Sequence, residues 1–172
     1  MIMKRIICYI LAMLCLAGVL GGFASCDNAG ADKNDGADIF EIKYNGETLE
    51  LGAKADAALS KLGAPVSKQN TGNCGGLGET TRYDYSAFWL VVVDYENGDK
   101  TIDRIEFKND AVETSKGIYI GSSESSVKEA YGEADSTVKS TLIYKGKNKE
   151  LAIGITDGAV SSIVFRCVEA DS

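Results

Sequence analysis

The sequence has no histidine and a single proline. Without histidine it lacks the commonest general base, the commonest metal ligand and the side chain that switches charge near neutral pH. Basic residues are also outnumbered: 18 lysines and arginines stand against 25 aspartates and glutamates. Such an acidic protein is repelled by phosphate backbones, which argues against nucleic-acid binding. Cysteine is scarce in the body of the chain. Cys8, Cys15 and Cys26 lie in or at the end of an apolar leader, so only Cys74 and Cys167 lie beyond it.

Motifs that carry chemistry are missing too. Nothing has the pattern of a nucleophile elbow or of metal-ligand spacing. The glycine-rich run 71–79, TGNCGGLGE, is no phosphate loop, because no Gly-Lys-Ser/Thr follows it. The aspartates of 27–38, DNAGADKNDGAD, do not keep calcium-loop spacing: Gly36 stands where an oxygen ligand is needed, and no glutamate closes the loop. Asp84, Asp94 and Glu96 are close in sequence, but acids grouped beside a turn are ordinarily solvated. The expectation is therefore no catalytic residue, no metal ligand and no cofactor, hence no enzyme.

What is present begins at the N-terminus. Met1 to Arg5 is a short basic start. Ile6 to Leu20 is almost wholly apolar, and Gly21-Gly22 breaks it. Charged start, apolar run and small residues are the order of a secretion signal, and the run falls short of the roughly 20 residues a spanning helix needs. An uncleaved anchor helix is the other reading, and either one puts the body outside the cytoplasm. Phe23-Ala24-Ser25-Cys26 then resembles the lipobox of bacterial lipoproteins, with phenylalanine where leucine is commonest. The resemblance implies cleavage before Cys26 and a thioether-linked diacylglycerol on it, often with a further acyl chain, palmitate-like, on the new amino group. Two or more chains hold a protein stably on a membrane.

Residues 1–25 are thus read as the signal peptide and 26–38 as a flexible acidic tether, rich in turn formers and without an apolar face. Removing the leader removes Lys4 and Arg5 and no acid, so 16 basic and 25 acidic side chains remain, a net −9. A tether of that length keeps the body within roughly 20 Å of the membrane.

The body opens with a predicted hairpin. Phe40, Ile42 and Tyr44 alternate, Asn45-Gly46 is a preferred two-residue turn, and Leu49 and Leu51 alternate after it. Two similar stretches follow. Gly52 to Gly63 and Gly121 to Gly132 have the same length, each reading as a short helix with a polar start and a glycine stop. Ser123 with Ser126, and Asp56 in the first copy, are placed to satisfy free amides at the helix starts. Later, Ile102, Ile105, Phe107 and Lys108 match Val160, Ile163, Phe165 and Arg166 at one constant offset. Between helix and last strand each copy has two further strands, Thr81 to Ser86 and Phe88 to Tyr95, then Thr141 to Lys145 and Leu151 to Thr156. Turns at Asn97-Gly98 and Asp157-Gly158 join the later pairs.

These patterns predict an α+β fold: two tandem units, each a short helix (or helix pair) followed by its own antiparallel sheet, preceded by a β-hairpin. The units are placed at 39–116 (with the hairpin) and 117–172. Leu51-Gly52 to Gly63-Ala64-Pro65 and Ile120-Gly121 to Gly132-Glu133-Ala134 carry a resemblance to beta-lactamase inhibitory protein and, unit by unit, to BamE-like (SmpA/OmlA) outer-membrane assembly lipoproteins. It also extends to a group of lipoproteins with the same leader-plus-two-repeat plan. No inhibitory loop is recognisable, so no binding residue is carried over, and fold likeness alone does not give function.

Differences between the copies point to function. The first is longer, mostly in the run 71–79 that holds Cys74. A Cys74–Cys167 disulfide would pin that loop to the C-terminal end; two unpaired or intermolecular thiols are the alternative. On the strand Leu151 to Thr156 the side opposite the core carries only Ala152, Gly154 and Thr156. On Phe88 to Tyr95 that side carries Trp89, Val91, Val93 and Tyr95. Either another part of the chain covers this second apolar face, or it is a partner-binding surface, for which Trp and Tyr are apt anchors. Tyr83 and Tyr85 read as core. Lys139, Lys145, Lys147 and Lys149 read as a solvated turn, with contact to anionic wall polymer or headgroups as the minor alternative.

The function expected is a non-catalytic, extracytoplasmic lipoprotein on the outer face of a bacterial cell membrane. It would be anchored by lipid on Cys26 and bind another protein or an envelope polymer through its sheet. The alternative is a small-molecule or glycan-binding lipoprotein, with aromatic side chains stacking on the ligand.

Overall fold

The computed structural model describes residues 37–73 and 78–168. Asn45 and Gly46 both take positive φ, 51° and 80°, as a tight two-residue turn requires. They join β1 (Glu41–Tyr44) to β2 (Glu47–Glu50), with Ile42 opposite Leu49 and both side chains buried. Two short helices follow in order: α1 (Ala55–Leu62) and, after five more strands, α2 (Glu124–Tyr131). Both stop at a glycine with positive φ, Gly63 at 72° and Gly132 at 77°. Ser123 caps α2, its Oγ accepting the Ser126 amide at 3.1 Å. α1 starts after Lys54 with no side-chain cap, so Asp56 does not serve as one.

The main sheet is built from β3 (Ser67–Asn73), β4 (Glu79–Asp84), β5 (Phe88–Asp94), β6 (Lys100–Phe107), β8 (Ser136–Val138), β9 (Thr141–Gly146), β10 (Lys149–Thr156) and β11 (Ala159–Cys167). It is one antiparallel sheet in the order β3-β4-β5-β6-β11-β10-β9-β8. β7 (Glu113–Thr114) leaves it and pairs with β1, making a second, three-stranded sheet β2-β1-β7.

This corrects the expected fold class. The described residues form eleven strands and two eight-residue helices, and a mostly β architecture replaces two tandem helix-plus-sheet units. The physical reason lies at the β6–β11 seam. An unpaired strand edge offers a row of open N–H and C=O groups. Pairing Ile105 with Phe165 and its neighbours removes two such edges at once and fuses the strands into one sheet. Helices of two turns are too short to form a layer of their own. The repeated spacings mark local elements, a helix stop or a turn, and not separate units.

One face of this sheet is the core. Phe88, Leu90 and Val92 of β5, Ile105 of β6, Leu151 and Ile153 of β10 and Ile163 and Phe165 of β11 are buried there. The helices and the small sheet cover it. Tyr85 and Tyr144 hydroxyls donate to the carbonyls of Gly63 and Gly132 at the two helix ends, at 3.5 and 3.2 Å, and Tyr44 packs edge-on against Phe88 at 5.0 Å. The two outer strands are blunt: β3 is polar and exposed where described, and β8 is three residues long.

The ladder shifts register at two matching places. Val91 faces Arg104 but Val92 faces Ile102, so Asp103 is an extra residue in β6. Gly154 faces Ser162 but Ile155 faces Val160, so Ser161 is extra in β11. The apolar spacing of three in Ile102–Ile105 and Val160–Ile163 is the imprint of these bulges.

Candidate functional site

Strand alternation puts Trp89, Val91 and Val93 on the face of β5 opposite the core. Trp89 and Val91 are half-buried, Val93 is 8% exposed, and Tyr95, just past the strand, is half-buried. Both helices and the small sheet lie on the other side, so among the described residues no helix or second sheet covers these side chains.

The neighbouring strands supply polar groups in register. Arg82 of β4 faces Val91, which faces Arg104 of β6. Arg104 faces Arg166 of β11, and Arg166 faces Glu150 of β10. One step along, Thr80 faces Val93. The sheet curls here into a concavity of about 290 Å³, lined by Thr71, Thr80, Arg82, Val91, Val93, Tyr95, Asp103, Arg104 and Glu106. The hollow at the Lys43 to Gly46 turn, about 320 Å³, is slightly larger, but it lies around a turn and the ends of β1 and β7 and lacks a comparable apolar floor.

Trp89 sits beside this concavity, held from several sides. The Arg82 guanidinium lies 5.3 Å and the Lys108 ammonium 5.4 Å from its ring. Lys108 pairs with Asp84 at 2.5 Å, and that hydrogen bond, with another from Trp89, holds the Asp84 carboxyl below its ordinary value. Arg82 also donates to the Gln69 side chain at 3.0 Å. Arg166 is ion-paired with Glu150, whereas neither Arg82 nor Arg104 is in an ion pair among the described residues. Burial pushes the Asp103 carboxyl up, and Arg104 offsets this in part.

The other sequence-derived candidates separate. Cys26 and Cys74 lie outside the described residues. Cys167 carries a free thiol, its Sγ 3.7 Å from the Ile102 carbonyl oxygen, and burial, helped by Asp103, pushes it up to about 11. Of the acids weighed for catalysis, Asp84 is tied to Lys108, Asp94 to Lys100 at 3.4 Å, and Glu96 is exposed in a turn. Lys149 leaves its lysine group to pair with Glu50 at 3.0 Å. Among the described residues no group of three or more cysteine or acidic side chains could hold a metal ion, and no helix is long and apolar enough to cross a membrane.

Two carboxyls do share the concavity, Asp103 and Glu106. They project from one strand, three residues apart, so both stand on the same wall. A glycoside-cleaving pair instead flanks its bond from two sides. Thr80, Arg82, Arg104, Asp103 and Glu106 were not singled out from the sequence. The Arg82 side was readable, since Thr80, Arg82 and Asp84 alternate with Thr81 and Tyr83. The alignment of Arg82, Arg104 and Arg166 needs the strand register. No family model, curated protein or solved structure matches the chain.

Proposed function

We propose that this chain is a non-catalytic lipoprotein, held through lipid on Cys26 to the outer face of a bacterial cell membrane. It binds another protein or envelope component through the outer face of β4, β5 and β6. The anchor reading rests on the order of basic start, apolar run and Phe23-Ala24-Ser25-Cys26. The binding reading is carried by one observation: Trp89, Val91, Val93 and Tyr95 lie on a sheet face that no helix or second sheet covers among the described residues. Rigid aromatic side chains beside arginine are the residue types that anchor protein interfaces.

The test uses the full-length lipidated chain as bait on intact envelopes. A partner recovered with the native protein is expected to be lost when Trp89 and Tyr95 are both changed to serine. Recovery of the same partner with the double variant would refute the binding face. Cys26→Ser is expected to move the protein from the membrane fraction to the soluble one.

A small-molecule or glycan ligand is the second reading, favoured by the concavity itself. At about 290 Å³ it lies near the lower bound of roughly 300 Å³ for ligand pockets. A rise in melting temperature with a sugar or metabolite panel, with no protein partner recovered, would select it.

A further inference from the structure

The chain has four arginines. Arg5 is in the leader, and the other three, Arg82, Arg104 and Arg166, stand on one cross-strand row of the uncovered face. Arg104 directly faces Arg166, an arrangement that like charges oppose. Glu150 compensates Arg166. Arg104 and Arg82, which flank Val91 from the two sides, form no ion pair among the described residues, though Asp103 lies near the first and Arg82 donates to Gln69. One row further, on the same face, Thr80 is 7% exposed and lines the concavity, and its Oγ1, itself buried, has no hydrogen-bond partner among the described residues. A buried hydroxyl without a partner is costly and uncommon. The site thus has an apolar floor and, across it, two guanidiniums without an ion-pair partner among the described residues.

Resting on the partner-binding reading above, we infer that this concavity anchors one carboxylate side chain of a protein partner, held between Arg82 and Arg104, with the partner's neighbouring apolar residue on Val91, Val93 and Tyr95. Guanidiniums suit this role because their planar fork matches a carboxylate with two parallel hydrogen bonds. The remaining lining charges, Asp103 and Glu106, choose among anions. Two positive and two negative groups cancel, so a densely anionic surface such as a headgroup layer gains little. A peptide segment satisfies all four groups, its carboxylate accepting from the arginines and its backbone N–H groups donating to the acids.

Trp89 is the chain's only tryptophan, and Arg82 lies against its ring, so its emission reports on the site. Full-length protein in detergent micelles would be titrated with N-acetyl-Leu-Glu-Leu-amide and with its glutamine counterpart. A saturable emission change is expected with the glutamate peptide, binding at least ~10-fold tighter than the glutamine one. Arg104→Gln should abolish that difference, and Arg104→Lys should keep only part of it, with ligand-free emission unchanged in both. Equal responses to the two peptides, or an undiminished preference in Arg104→Gln, would overturn the carboxylate anchor. So would saturable binding to phosphatidylglycerol vesicles in place of the peptide. A partner still captured by Arg104→Gln, but lost with the Trp89 and Tyr95 changes, would sink the anchor and leave the binding face standing.

Discussion

Strands β5 and β10 are alike on one side and unlike on the other. Toward the core each presents large apolar groups: Phe88, Leu90 and Val92 on the first, Leu151, Ile153 and Ile155 on the second. On the outer side β10 carries Ala152, Gly154 and Thr156, and serines of β11 close the space beside Gly154. A Cβ on Gly154 would come within 2.4 Å of Ser162 Oγ, and Ser161 Oγ donates to the Gly154 carbonyl at 3.2 Å. That outer surface is tight and hydrogen-bonded to itself. β5 carries Trp89, Val91 and Val93 beside an open concavity. The bulges repeat the contrast, Asp103-Arg104 in one and Ser161-Ser162 in the other. The contrast is between the two strands and not between the halves of the sheet, since Ala152 is flanked on the outer face by Ile143 of β9 and Val164 of β11.

The likeness of the two strands fails first if their inner faces are not equivalent. Leu90→Ala and Ile153→Ala remove buried side chains at matching places, and each is expected to cost about 2–5 kcal/mol in urea unfolding. A much smaller loss for one would mean that only half of the sheet is a true core. Next comes the outer face. Giving β5 the sparse outer side of β10, with Trp89→Ala and Tyr95→Thr together, should cost less than about 2 kcal/mol, because these groups are half-buried and away from the core. A loss as large as that of Leu90→Ala would mean the fold does need them.

The two bulges should also differ in their response to pH. Burial raises the Asp103 carboxyl above its ordinary value of 3.8, so the folded state favours its neutral form. Its contribution to stability is intact below 3.8 and is lost as pH rises through the raised value. Asp103→Asn should therefore stabilise the protein at pH 7, with the gain vanishing toward pH 3 in a chemical-denaturation series. Ser161→Asn, at the matching bulge, should show no such pH dependence. The smallest effect concerns Cys167, whose thiol is raised from 9.0 to about 11. Alkylation by iodoacetamide should reach half its limiting rate near pH 11. Asp103→Asn should move that midpoint down modestly, since burial is the larger cause.

Local chemistry made much of the fold legible. Asn45-Gly46 and Asp157-Gly158 turns, the glycine stops at Gly63 and Gly132 and the Ser123 cap are each set by a few adjacent residues. Long-range pairing was not legible. The β6–β11 seam, which overturns the expected two-unit α+β fold, joins residues about 60 positions apart and leaves no trace in either strand's own pattern. β3 was missed because an edge strand with exposed polar residues has no apolar alternation to read. The site divides in the same way. The apolar side of β5 follows from alternation along one strand. The arginine row and the unpartnered Thr80 hydroxyl depend on register across several strands, including a bulge that alternation cannot place.

The most direct measurement is site-specific photocrosslinking on living cells, with the photoreactive residue at position 91 of β5 or at position 152 of β10. Both sites lie on the same outer face of the same sheet, in the same chain. Partner binding through the β4–β6 half predicts a discrete adduct from position 91, lost in Arg104→Gln, and none from position 152. Adducts of equal yield from both positions, or from position 152 alone, would contradict it.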